Sequence, residues 1–289
     1  MRPRKRFGQH WLRSETVLAT ITAGANLQPS DRVLEIGPGQ GVLTRSLLPK
    51  VAQVVAVEID RDLCQSLRQQ WGQRPAFTLV EGDFLALYAA ALEKSGALWD
   101  AGGMVCNKVV ANIPYNITGP ILEALLGTIA APRQPALESL VFLVQQEVAQ
   151  RLCAKPGTKA CGALTQRVRY LANCEILCAV PPSAFSPPPQ VQSSVIRLQP
   201  RPFALVAQSP NHLQRLIQLG FSAKRKMLRN NLKAHLENDR LLSSLATVGL
   251  EPNVRAEDLS LEQWILLSNY LVEMSNDVCN LSAKIPGVS

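Results

Sequence analysis

Behind Arg32–Ile36, which reads as a strand, stand three glycines at alternate positions, Gly37, Gly39 and Gly41. A turn built this way joins a strand to a helix and lets the backbone approach a ligand, because no Cβ is in the way. Val42–Leu48 follows with Leu43 and Leu47 on one helical face, and Val54–Ile59 reads as the next strand. Asp60 then sits where an N-cap belongs, ahead of Leu63, Leu67 and Trp71 at i, i+4, i+8. Further strands are expected at Phe77–Val80, Val105–Ala111, Leu140–Val144, Ile176–Val180 and Ser194–Leu198, with a helix carrying Val144, Val148 and Leu152. Strand–helix alternation of this kind specifies an α/β fold: a mostly parallel sheet flanked by helices.

The pattern changes near residue 201. Leu213, Leu216, Ile217 and Gly220 keep helical spacing, as do Leu228, Leu232 and Leu236. Ser260-Leu261-Glu262-Gln263 is a capping-box pattern ahead of Trp264–Leu267. With 289 residues, the chain is long enough for a large domain over 1–200, including a basic arm at 1–13, and a small helical domain over 201–275. Residues 276–289 lack periodicity and are expected to form a mobile tail.

The glycine turn is not a dinucleotide fingerprint. Counted from Gly37, the last position of G-x-G-x-x-G is Val42, and Pro38 removes a backbone N–H that a pyrophosphate would use. S-adenosylmethionine carries no phosphate, so the loop suits a sulfonium nucleoside better than NAD. Glu58 stands about 20 residues past the loop, where an acid accepts hydrogen bonds from ribose hydroxyls. Asp83 ends the third strand, where a carboxylate can accept from the cofactor's adenine amine.

Asn112-Ile113-Pro114-Tyr115 follows the fourth strand. Pro114 biases Ile113 towards an extended backbone, leaving its carbonyl to point outwards. The Asn112 side-chain oxygen and the Ile113 carbonyl can accept the two N–H bonds of an adenine amino group, and Tyr115 can stack on the base. Such a base must be extruded or unpaired to enter. The combination points to methyl transfer from S-adenosylmethionine to a base amine.

Taken in order, these motifs resemble the 16S ribosomal RNA adenine dimethyltransferases of the KsgA (RsmA) type. The resemblance covers about residues 4–270. It rests also on Arg4-Lys5-Arg6-Phe7-Gly8-Gln9, Val57-Glu58-Ile59-Asp60, Gly82-Asp83, Gln146-Glu147-Val148-Ala149-Gln150-Arg151, the Val180–Pro189 loop with Phe185-Ser186-Pro187-Pro188-Pro189, and Phe221–Leu228. It implies a class I methyltransferase sheet of about seven strands and a C-terminal helical RNA-binding domain. It implies N6,N6-dimethylation of two adjacent adenosines in the 3′-terminal hairpin loop of 16S rRNA, in the 30S subunit or its precursor. By the family's pattern Gly37, Gly39, Glu58, Asp83 and Asn112 touch the cofactor or reacting centre, His10 and Leu12 lie over the cofactor's methionine end, and Phe185 flanks the target base opposite Tyr115. His10 departs from the Asn usual in the family after Phe-Gly-Gln. A backbone contact survives that change and a side-chain amide contact does not. Leu85–Gly103 is long for the family and reads as a surface insertion.

Charge agrees with an RNA partner: 30 Lys+Arg against 22 Asp+Glu give a net +8. Arg2, Arg4, Lys5, Arg6 and Arg13 crowd the N-terminus, and Lys224, Arg225, Lys226, Arg229 and Lys233 crowd a later segment. Arg225, Arg229 and Lys233 at i, i+4, i+8 are expected to form one stripe along a helix. The seven cysteines, without a CxxC pair, read as thiols of a cytoplasmic protein. No metal site, secretory signal or membrane span is expected, and nothing calls for an oligomer, so the expected state is a monomer. The alternatives are a 23S rRNA dimethyltransferase of the macrolide-resistance type, a non-catalytic RNA-binding assembly factor, and, more remotely, a DNA adenine methyltransferase or nicotinamide oxidoreductase.

Overall fold

The computed structural model describes residues 10–95, 105–134, 136–223 and 225–282. The expected RNA contacts Arg4, Lys5, Arg6 and Lys224, and residues 283–289 of the expected tail, lie outside the described residues; residues 276–282, expected to belong to that tail, instead continue the last helix. The chain divides into two compact units: Met1–Gly127, Arg133–Cys153 and Ala172–Arg201 form the first, and Thr128–Pro132, Ala154–Leu171 and Pro202–Ser289 the second.

In the first unit β1 (Trp11–Leu12), α1 (Glu15–Gly24), β2 (Arg32–Ile36), α2 (Val42–Leu47), β3 (Gln53–Glu58), α3 (Arg61–Trp71), β4 (Phe77–Glu81) and α4 (Phe84–Ser95) follow one another. Then come β5 (Lys108–Asn112), α5 (Thr118–Leu126), β6 (Ser139–Gln145) and α6 (Gln146–Leu152). After α7 (Ala163–Leu171), which belongs to the second unit, the first unit resumes with β7 (Ala172–Val180), β8 (Phe185–Ser186) and β9 (Ser193–Pro200). Seven strands form one sheet in the order β4-β3-β2-β5-β6-β9-β7. The pairs from β4 through β6 are parallel, and β9 runs antiparallel to both β6 and β7. The class I methyltransferase architecture is thus present. Its parallel strands are apolar along their length because helices cover both faces: Val33, Leu34, Val54, Val55, Ala56, Val109 and Val110 are all fully buried.

Local sequence explains the elements around the glycine turn. Asp60 caps α3, its carboxylate accepting from the Asp62 N–H at 3.1 Å. Leu63, Leu67 and Trp71 form the buried face of that helix. Trp71 closes over the glycine loop: a Cβ on Gly41 would lie 2.1 Å from its ring, and Gly41 has φ +75°. The expected insertion is in part a helix, since residues 84–95 form α4. The expectation for 96–103 lies outside the described residues.

A separate two-stranded sheet pairs β1 with β8, Trp11 opposite Ser186 and Leu12 opposite Phe185. Each strand has only two residues, too short for any periodicity to announce it.

The second unit packs α7, α8 (Pro210–Gly220), α9 (Leu228–Leu232), α10 (Asn238–Thr247) and α11 (Leu261–Ser282) around Trp264. The Ser260 capping box is formed: Gln263 N–H donates to Ser260 Oγ at 3.2 Å, and Ser260 N–H donates to Gln263 Oε1 at 2.9 Å.

The expected basic stripe is corrected here. The helix is only Leu228–Leu232, and Arg225 precedes it in a left-handed conformation, φ +71°. Tertiary bonds override the helical spacing. Leu228 N–H donates to Val254 O at 2.8 Å, Met227 bridges Arg255, and the Asn231 side chain holds the carbonyls of Gly220 and Ala223. Arg229 and Lys233 remain one turn apart, while Arg225 and Lys226 are exposed on the preceding turn. Leu228 and Leu232 face inwards as expected.

Candidate active site

Strand order reverses between β2 and β5: β3 and β4 lie to one side, β6 to the other. At such a switch point the loops leaving the carboxyl ends diverge and open a crevice. A cavity of about 210 Å³ lies there, lined by His10, Trp11, Gly37, Gly39, Glu58, Ile59, Asp83, Phe84, Asn112, Ile113, Pro114 and Tyr115, among others. The structure therefore brings most of the expected site residues into one place, from the ends of β2, β3, β4 and β5 and from β1.

The glycine loop and Glu58 form one hydrogen-bonded unit. Gly37 and Gly39 have φ of +69° and +59°, and a Cβ on Gly39 would meet the Trp11 ring at 3.4 Å. Glu58 Oε2 accepts the Gly39 N–H at 3.0 Å, and Oε1 accepts those of Ile59 and Asp60 at 3.0 and 2.9 Å. Burial pushes the Glu58 carboxyl up and the three N–H groups pull it back, with a net shift upwards. Asp83 is exposed at the next strand end, and its Oδ1 accepts from the N–H groups of Leu85 and Ala86 at 2.8 and 3.1 Å, which starts α4. Ile59 is 43% exposed and lines the cavity beside these acids, with Phe84 close by in the same wall. Apolar flanks of this sort suit a flat ring.

A smaller cavity, about 40 Å³, opens beside the loop between Leu12, Trp11, Glu35, Gly37, Pro38 and Asn112. Glu35 is buried there. Thr44 Oγ1 donates to its Oε2 at 2.7 Å, and Oε1 has no partner among the described residues. Burial lifts the Glu35 pKa from its ordinary 4.5 to about 8; the Thr44 bond opposes this and the Glu58 charge adds to it. The folded protein thus holds a proton that the unfolded chain releases above 4.5. That contribution to stability is complete below pH 4.5 and is lost as pH rises through about 8. Denaturant titrations of ligand-free protein are expected to show stability falling across this window, and Glu35→Gln to fall less steeply. Identical slopes for the two proteins would remove the buried proton from the account.

Asn112 ends β5, and the backbone beyond it is anchored by Ile113 N–H donating to Leu143 O at 3.2 Å. The Asn112 amide donates from Nδ2 to His10 O at 3.2 Å. That bond sets the orientation of the amide and leaves Oδ1 as its acceptor. Tyr115 hydroxyl and Ser193 Oγ are 2.7 Å apart. Burial raises the Tyr115 pKa more than the Ser193 bond lowers it, so the ring is a neutral surface and not a base. His10 enters this site through its backbone carbonyl, the kind of contact that tolerates the change from Asn.

Phe185 does not line either cavity. It is 4% exposed and packs in the core with Leu12, Val180 and Ala184. Trp11, Ile59, Phe84 and Ser193 were missed in the sequence. Ile59 follows Glu58 directly and was within reach of the same strand-end argument. Trp11 and Ser193 depend on long-range pairing.

A family model described as ribosomal RNA adenine dimethylase matches residues 1–273 of the chain. The chain is 56% identical over 284 residues to a ribosomal RNA small subunit methyltransferase A of Synechococcus elongatus, covering 98% of this chain and 100% of that protein. It is 53% identical to a protein of the same description from Nostoc sp., covering 94% and 98%. Among solved structures it is similar to a dimethyladenosine transferase from Plasmodium falciparum, with TM-score 0.73, 24% identity and coverage of 92% and 98%. It is also similar to the 23S rRNA methyltransferase ErmE, with TM-score 0.69, 26% identity and coverage of 91% and 99%.

Proposed function

Because the chain belongs to the ribosomal RNA adenine dimethylase family, we propose that it dimethylates N6 of two adjacent adenosines in the 3′-terminal hairpin loop of 16S rRNA, using S-adenosylmethionine. It works on the 30S subunit or its precursor, as a monomer in the cytoplasm. The observation that carries this reading is Asn112 at the switch point, its amide turned by His10 so that Oδ1 is the atom left to accept.

The residues present fit the cofactor. The loop at Gly37 and Gly39 offers a cradle that side chains would fill, Glu58 a carboxylate beside it, and Glu35 an orphan oxygen on the smaller cavity. When bound, S-adenosylmethionine supplies an electrophilic methyl carbon on a sulfonium. Glu58 accepts from the ribose, Asp83 from the adenine amine, and Leu12 with the His10 backbone closes the methionine end. The protein's part in the chemistry is mostly positioning. Asn112 Oδ1 and the Ile113 carbonyl accept the N–H bonds of the target amine. This weakens conjugation of its lone pair with the ring and directs that lone pair at the donor. Pro114 keeps the Ile113 carbonyl turned outwards, and Tyr115 stacks on the base. The proton leaves once nitrogen has become cationic, so no strong general base is needed. Arg225, Lys226, Arg229 and Lys233 meet RNA phosphates, with Lys224 and the arm residues Arg4, Lys5 and Arg6.

Undermethylated small subunits incubated with the protein and labelled cofactor are expected to gain four methyl groups on two neighbouring adenosines, located by mapping the modified nucleotides. Label on isolated 50S particles instead would favour the activity named for ErmE, and no label on either would leave a non-catalytic RNA-binding role.

A further inference from the structure

We propose that Cys153 and Cys174 are an oxidisable pair: met by a small-molecule disulfide, they join in a disulfide bond that fastens the end of α6 to β7. Neither cysteine lines the two cavities of the methyl-transfer site, so this second site is independent of the function proposed above. The two sulfurs are 3.0 Å apart, although 21 positions separate the residues. That is closer than the ~3.5–4.0 Å at which unbonded carbons pack, and sulfur is the larger atom. Bonded sulfurs stand about 2.05 Å apart, so an approach of about 1 Å by side-chain rotation makes the bond.

The backbone on each side holds the pair in place. Cys153 follows α6, its N–H donating to Ala149 O at 3.0 Å. Cys174 sits in β7, the last strand of the sheet, opposite Leu198 of β9. Both side chains are half-buried, and Asn173 and Glu175 on either side of Cys174 are exposed, so a small oxidant can reach the pair. Cys64, Cys106 and Cys161 offer less. They are buried, and burial pushes their thiols up, which leaves little of the attacking thiolate.

The bond forms by thiol–disulfide exchange. The thiolate of one cysteine attacks the oxidant RSSR, releasing RS⁻ and leaving a mixed disulfide on the protein. The second thiolate attacks the protein sulfur of that mixed disulfide and releases the other RS⁻. Two protein thiols thus give up two electrons and two protons, and the oxidant departs as two RSH. The second attack is intramolecular, between groups already held together, so the mixed disulfide does not persist. Cys153 is the last residue of the first unit before residues 154–171, which belong to the second, and Cys174 is the third residue after the chain returns at Ala172. The bond ties the two ends of that excursion. It restricts the unfolded chain more than the folded one, and so stabilises the fold.

The test incubates the full chain, as wild type, Cys153→Ser and Cys174→Ser, with oxidised glutathione. Remaining thiols are then alkylated, and peptides are mapped by mass spectrometry without reduction. Wild type is expected to lose two alkylatable thiols and yield a Cys153–Cys174 linked peptide lighter by two hydrogens, reversed by dithiothreitol. Each variant should stop at one glutathione adduct on the cysteine that remains. Oxidised wild type should melt about 5 °C or more above its reduced form, and the variants should show no such difference. Three results overturn the proposal: glutathione adducts persisting on Cys153 or Cys174 of the wild type, a bond from either to a different cysteine, or no change at either thiol under excess oxidant. Equal melting temperatures for linked and reduced wild type would also overturn it, since the bond would then fasten nothing. The wild-type mapping decides the matter whether or not the serine variants fold.

Discussion

Asn112→Ala is expected to reduce single-turnover methylation about 10²–10³-fold, the range for removing one preorganised polar group that acts on the reacting centre. On the roles proposed above the loss falls on chemistry, because Oδ1 is assigned to the base amine and Glu58 to the cofactor's ribose. Adenosylhomocysteine affinity should move by less than about fivefold, the small effect coming from release of the His10 carbonyl. Asn112→Asp sharpens the test. It keeps an acceptor but sets a carboxylate against the His10 carbonyl that now receives an N–H, so it should not rescue. Rapid-quench measurement at saturating cofactor checks both variants. Loss of cofactor affinity with single-turnover rate intact would contradict the role given to Asn112.

Glu58→Gln is expected to cost about 10²-fold or more in adenosylhomocysteine affinity despite its identical shape. Both carboxylate oxygens of Glu58 are acceptors for backbone N–H groups: Oε2 for Gly39, Oε1 for Ile59 and Asp60. An amide has one accepting end. Turned either way, its NH₂ points at a backbone donor, leaving that donor unsatisfied and the glycine loop pushed off its path. Each buried donor left without a partner costs about 1–3 kcal/mol. The melting temperature should therefore fall as well, and Glu58→Ala should do no worse than lose all three bonds. Calorimetry and thermal denaturation measure the two effects. Wild-type affinity in Glu58→Gln would mean that the carboxylate is not what shapes this end of the cavity.

Much of the molecule is legible in the chain itself, because local rules are strong where they are satisfied locally. β2 begins and ends where the strand is expected, at Arg32 and Ile36, and α3 buries Leu63, Leu67 and Trp71 behind its Asp60 cap. The capping box at Ser260 needs only four consecutive residues. Glu58, Asp83 and Asn112 could be placed at a ligand crevice because successive parallel strands present their carboxyl ends on one side of the sheet. The basic segment shows the limit of that reasoning. Spacing alone put Arg225, Arg229 and Lys233 on one helix. The Leu228–Val254 bond and the Asn231 side chain, which reach across sequence, turned the backbone at Arg225 the other way.

The sequence by itself determined the alternation of strands and helices, the glycine loop and the acids and amide at the strand ends, since each depends on neighbours a few positions away. Only the tertiary structure decided that Trp11 and Leu12 pair with Ser186 and Phe185, that Phe185 is drawn into the core, and that His10 stands over Tyr115. It also decided that residues 128–132 and 154–171 join the second unit. Two-residue strands and ring-to-ring contacts between distant positions leave no period in the chain. They arise when the whole sheet has closed and the remaining apolar and hydrogen-bonding surfaces find their partners.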